Sequence, residues 1–124
     1  ILAMPLTKHN QGIVGENELQ TLPNHSIVLN PARGPLINEQ AMLKALREGW
    51  IAGAALDTHW RYPLPADHPI RRFPNVIITP HISGPTLSPH FKARVWDIFC
   101  QNVDRFLAGV PLLNELTQRQ LDGD

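Results

Sequence analysis

Four short apolar runs, residues 1–4, 27–29, 51–56 and 76–79, recur along the chain, and stretches of helical periodicity lie between and after them. Runs of this length, with no two-residue hairpin signal joining them, read as strands of a parallel sheet linked by crossovers. The first crossover carries Ile13, Val14, Leu19 and Leu22 and closes at Pro23-Asn24. The second is a helix over 39–48, capped by Asn38, with Met42, Leu43, Ala45 and Leu46 facing a core and Gly49 as its stop. Residues 51–56 (IAGAAL) are small and almost continuously apolar, the pattern of a strand covered on both faces. The expected architecture is α/β, a Rossmann-type doubly wound parallel sheet with right-handed crossovers.

Residues 58–75 carry four prolines, three aromatics and two histidines without periodicity and read as a long ordered loop. Ser88-Pro89 then opens a long helix with Phe91, Val95, Ile98, Phe99, Val103 and Phe106 on one stripe, ended by Gly109. The first run lacks a preceding start signal and an initiator methionine, so the chain reads as a fragment, the C-terminal half of such a sheet.

Composition narrows the partners. The 124 residues hold 11 basic and 11 acidic side chains, which argues against nucleic acid as a partner. No apolar run approaches the roughly 18 residues of a membrane span, and residues 1–4 lack the charged flank of a signal peptide, so a cytoplasmic protein without a membrane partner is expected. The single Cys100 sits in an apolar helical pattern and is expected to be buried.

In parallel sheets ligands bind beyond the carboxyl ends of the strands, and Thr7, residues 30–34, Asp57 and His81 all follow such ends. Ala32-Arg33-Gly34 and Thr79-Pro80-His81 thereby bring a planar guanidinium and an imidazole to one sheet edge. The first suits a carboxylate and the second moves a proton, a pairing that points to an enzyme. His59 and His68 lie in the long loop, but no carboxylate or cysteine completes a ligand spacing with them, and no metal is expected.

These motifs in this order resemble the D-isomer-specific 2-hydroxyacid dehydrogenases. The resemblance rests on Leu6-Thr7, residues 28–34 (VLNPARG), 53–57 (GAALD), 76–84 (VIITPHISG) and the closing helix through 102–113. It implies that residues 1–108 are the C-terminal half of an NAD(P)-binding domain and that 109–124 return toward a substrate domain. The Gly-rich pyrophosphate turn is then expected upstream, since no G-x-G-x-x-G occurs here, and the fragment alone is expected to be inactive. Further implications are an NAD- or NADP-dependent oxidoreductase acting on a small 2-hydroxy or 2-oxo acid, of glyoxylate/hydroxypyruvate reductase type, and a homodimer. By the same resemblance Arg33 binds the substrate carboxylate and His81 is the acid/base. Pro5, Leu6, Thr7, Pro31, Ala32, Arg33, Asp57, His81, Ser83 and Gly84 line the cofactor.

One departure stands out. The family has a glutamate five positions after the aspartate, just before a proline, to pair with the histidine; this chain has Tyr62 before Pro63. A neutral phenol can orient an imidazole but does not stabilise its charged form. Asp67 and Glu115 are candidate replacement carboxylates, and the alternative function is a catalytically impaired nucleotide-binding or partner-binding protein on the same scaffold.

Overall fold

The helix predicted over 39–48 forms over those residues, because both of its ends are specified locally. In the computed structural model, which describes residues 1–84 and 88–121, Asn38 Oδ1 accepts from the Ala41 amide at 2.9 Å and Gly49 ends the helix at φ 70°. Glycine takes this left-handed conformation without the penalty a Cβ brings.

The chain divides into two compact units, Ile1–Ser83 and Gly84–Asp124. In the first unit the order is α1 (Glu16–Thr21), β1 (Ile27–Asn30), α2 (Glu39–Glu48), β2 (Gly53–Leu56) and β3 (Val76–Ile78). The strands form a parallel sheet in the order β1-β2-β3, with Asn30 opposite Leu56 and Leu56 opposite Ile78. All three strands therefore end level, and the loops that follow them leave from one edge.

One sheet face packs on the helices. Val28, Ala54 and Leu56 are buried in one cluster with Leu19 of α1, Met42, Leu43 and Leu46 of α2, and Ile51 and Ile70. Each large aliphatic side chain so buried contributes roughly 1.5–3 kcal/mol. Gly53 is required here, since a Cβ on it would collide with the Asn75 carbonyl that accepts from the Ala54 amide at 3.1 Å.

Three expectations need correction. Residues 1–4 do not form a strand; Leu2 N–H donates to Leu29 O at 2.9 Å, but Ile1 is exposed, and Pro5, with no N–H, stops a ladder from extending. The sheet is not covered on both faces within its unit, where Ile27 and Ile77 are 61% and 67% exposed. Cys100 is exposed rather than buried, because it lies on α3 (Pro89–Leu107), a helix on which no described residue is buried.

In the second unit α3 begins at Ser88-Pro89 and ends before Gly109, which adopts φ 66°. Asn102 grips the segment that follows, donating to Leu113 O at 3.1 Å and accepting from Leu113 N–H at 2.7 Å. A short α4 (Gln118–Leu121) follows; the last three residues of the expected return segment lie outside the described residues. Among the described residues no helix is long and apolar enough to cross a membrane.

Candidate active site

The loop after β1 is shaped by a buried asparagine. Asn30, 1% exposed, accepts from the Ala32 amide at 3.1 Å and donates to Arg33 O at 2.9 Å, fixing residues 31–33. Gly34 then lies directly against the His59-Trp60 backbone, where a Cβ would collide. The Arg33 loop and the loop after β2 are thus in backbone contact. The Arg33 guanidinium itself is exposed and donates to the adjacent Ala32 carbonyl at 2.7 Å.

The loop after β2 begins at Asp57, which is buried and fully engaged. One carboxylate oxygen accepts from Thr79 Oγ1 at 2.5 Å and the Ile82 amide at 2.8 Å; the other accepts from the Ser83 amide at 3.0 Å and Ser83 Oγ at 2.7 Å. Burial alone pushes this carboxyl up, but the hydrogen bonds from Thr79, Ser83 and Ile82 outweigh it and hold the group well below the usual carboxylate range. These bonds also fix His81, whose φ of 61° is left-handed and costs a non-glycine residue roughly 1–2 kcal/mol. Two of the amides that Asp57 binds immediately follow His81, so the buried carboxylate supports the strained residue.

Tyr62 meets His81. Its hydroxyl lies 3.3 Å from His81 Nδ1 and accepts from the His59 amide at 3.0 Å. Asp67 makes no hydrogen bond to His81; the side chain that reaches the imidazole is the phenol of Tyr62. The two loop histidines are both buried, and His59 Nδ1 has no hydrogen-bond partner among the described residues. His59 Nε2 is 2.9 Å from Thr79 O, while His68 stacks on Trp60 and contacts Glu39 Oε1 at 3.1 Å. Trp60 donates to Ile37 O at 2.7 Å, tying the same loop to the segment before α2. Among the described residues no group of three or more His, Cys, Asp or Glu is placed to hold a metal.

A cavity of about 220 Å³ opens at the level strand ends, lined by Ile1, Leu29, Pro31, Ala55, Leu56, Asp57, Ile77, Thr79 and Ser83. Of the residues expected at a cofactor, it gathers Pro31, Asp57 and Ser83; neither Arg33 nor His81 lines it. Pro5, Leu6 and Thr7 form a separate turn pinned by Asn10, which donates to Pro5 O and accepts from Thr7 N–H, both at 2.8 Å. Gly84 belongs to the second unit. Sequence reading missed Thr79 as a ligand of Asp57, a role signalled only by a hydroxyl residue at the end of the strand beside it. Leu29, Ala55 and Ile77 were also missed, because side chains alternate across a strand and the apolar runs did not show which positions face the ligand side.

An apolar crevice beyond the carboxyl ends of a parallel sheet is where α/β proteins hold nucleotides, and the fold is a Rossmann-like fragment. Residues 1–83 match the family model for the D-isomer specific 2-hydroxyacid dehydrogenase NAD binding domain, and the chain belongs to that family. A glyoxylate reductase of Thermofilum pendens is 39% identical over 106 residues, which cover 86% of this chain and 31% of that protein. A D-isomer specific 2-hydroxyacid dehydrogenase from Xanthobacter autotrophicus Py2, solved with NADPH and MES, superposes with a TM-score of 0.77 at 34% identity, over 94% of this chain and 47% of that one. An NADPH-dependent glyoxylate/hydroxypyruvate reductase from Sinorhizobium meliloti, solved with NADP and sulfate, gives 0.79 at 27% identity, over 98% and 38%. The chain thus spans about a third of the length of the glyoxylate reductase it matches.

Proposed function

We propose that this chain is part of an oxidoreductase that uses NAD or NADP to interconvert a small 2-hydroxy acid and its 2-oxo acid. Residues 1–108 belong to the nucleotide-binding domain, 109–124 return toward the substrate domain, and the working enzyme is a homodimer in the cytoplasm. The observation that carries the reading is the level ending of the three strands: Arg33 follows β1 by three residues, Asp57 follows β2 directly, and His81 follows β3 by three. The ends of β1 and β3 are two strand spacings, roughly 10 Å, apart, a gap that a small oxo acid and two side chains can bridge.

The apolar cavity fits a nicotinamide ring, with Leu29, Ala55 and Ile77 as a floor and the neighbouring loops as its rim. When bound, the reduced ring supplies a hydride to the carbonyl carbon of the oxo acid. Arg33 grips the carboxylate with its fork and turns the carbonyl toward His81, whose imidazole gives a proton to the oxygen in reduction and takes it back in oxidation. Asp57, its acceptor sites filled by protein donors, acts by shaping the cavity wall and the His81 turn. Pro5, Leu6, Thr7, Ala32 and Ser83 complete the cofactor contacts by their backbone.

In this reading Tyr62, whose hydroxyl lies 3.3 Å from His81 Nδ1, orients the imidazole without stabilising its charged form, and turnover is retained. The test is the full-length protein incubated with NADH or NADPH and a panel of glyoxylate, hydroxypyruvate and pyruvate analogues. Loss of the reduced nicotinamide absorbance is expected. Tight nucleotide binding without turnover across the panel would favour the impaired binding protein instead.

A further inference from the structure

We propose that Tyr62 is a positioning residue that holds the neutral His81 ring in the tautomer with its hydrogen on Nε2; this rests on the reading of His81 as the acid/base group. The direction of one bond is fixed by chemistry. The His59 backbone N–H, 3.0 Å from the Tyr62 hydroxyl, can only donate, so the phenol oxygen accepts. Accepting that bond polarises the phenol O–H and makes it a better donor.

The same hydroxyl lies 3.3 Å from His81 Nδ1. Two arrangements fit that distance. In one the phenol donates to a bare Nδ1; in the other an Nδ1–H donates to a phenol oxygen already engaged by the His59 amide. The imidazole lone pair is the stronger acceptor and the phenol the more acidic donor, so the first arrangement is adopted and the ring hydrogen resides on Nε2.

An ionised glutamate in this position could only accept, and would require the hydrogen on Nδ1. Exchanging it for tyrosine therefore reverses which nitrogen of the neutral resting ring carries hydrogen. In reduction the doubly protonated ring gives up its Nε2 proton and is left with Nδ1–H donating to the phenol oxygen; in oxidation the resting ring must first shift its hydrogen to Nδ1 before Nε2 can take the hydroxyl proton. The phenol is well placed for this role. Its ring lies beside His59 at 5.6 Å between centroids and beside His81 at 5.7 Å. His59 is in turn held by Thr79 O, two residues before His81. The hydroxyl is thus referenced to the strand that delivers His81, although the Tyr62 ring itself is 58% exposed.

The test is long-range ¹H–¹⁵N spectroscopy of the full-length protein labelled at histidine nitrogen, without substrate, at mildly alkaline pH, with His81→Gln assigning the signals. The native protein is expected to show a protonated Nε2 and a bare Nδ1. Tyr62→Phe should lose the single-tautomer pattern in favour of an averaged one, and Tyr62→Glu should shift the hydrogen to Nδ1. A native spectrum with hydrogen on Nδ1, or one left unchanged in both variants, overturns the proposal. Activity is read separately. Failure to reduce any oxo acid removes the dehydrogenase reading while an Nε2–H spectrum still supports the role of Tyr62; an active enzyme with Nδ1–H sinks the role of Tyr62 alone.

Discussion

Both hydrogen-bond donors of Ser83, its amide and its hydroxyl, are directed at one oxygen of the Asp57 carboxylate. The serine closes the turn that contains His81, so a buried charge at the end of β2 determines where the acid/base candidate at the end of β3 stands.

Asp57→Asn removes that charge and converts one acceptor into a donor facing the donors of Thr79, Ile82 and Ser83. Hydrogen bonds to a charged partner contribute about 1.5–3 kcal/mol; the asparagine oxygen keeps one pair of donors and the loss of a buried charge offsets part of the rest, so a fall of roughly 2–4 kcal/mol in unfolding free energy is expected. Urea denaturation of the two proteins measures it.

The same carboxylate predicts an acid limb in stability. Its folded-state pKa is depressed, so its contribution is fully present above the unfolded-state value of about 4 and is lost as pH falls from there toward the lower folded value. Denaturation midpoints at stepped acidic pH should fall more steeply in the native protein than in Asp57→Asn. Parallel slopes would contradict the assignment.

Gly34→Ala forces a Cβ into the His59-Trp60 backbone and should separate the loops carrying Arg33 and Tyr62. Overpacking of this kind costs about 1–3 kcal/mol, and activity should fall with it. Gly49→Ala is the comparison. It strains a left-handed helix end by about 1–2 kcal/mol with no atom in its way, and should lower thermal stability while leaving kcat/KM unchanged.

The contrast between these two glycines marks what the sequence could reveal. Asn38 and Gly49 bound α2 through bonds to residues within the helix, so the helix was legible from its own ends. Gly34 answers to His59, 25 positions away, and no local pattern announces that contact. The strand ends, and with them Arg33, Asp57 and His81, followed from apolar runs meeting turn residues. Which partners Asp57 takes did not, because Thr79 and Ser83 reach it only after β3 pairs beside β2. Residues 1–4 and Cys100 were misread for a related reason: apolar pattern reports what a segment could bury, and Ile1, Ala3, Met4 and Cys100 are exposed within their own units, Leu2 alone packing against the core.

Arg33→Ala should weaken use of the oxo acid without unfolding the protein, since the guanidinium bonds only to its neighbouring carbonyl among the described contacts. Loss of a charge-assisted contact of about 1.5–3 kcal/mol corresponds to roughly a ten- to 150-fold drop in kcat/KM. Arg33→Lys should recover part of it. Steady-state kinetics together with a thermal melt separate the two effects.

The most direct test of the account is the rate of nicotinamide oxidation by the full-length protein with glyoxylate or hydroxypyruvate, compared between the native enzyme and His81→Gln. The native enzyme should turn over, and the variant should bind the reduced cofactor but lose about 100-fold or more in rate, the range expected for removal of a general acid. A His81→Gln enzyme that matches the native rate would contradict the assignment of proton transfer to the end of β3.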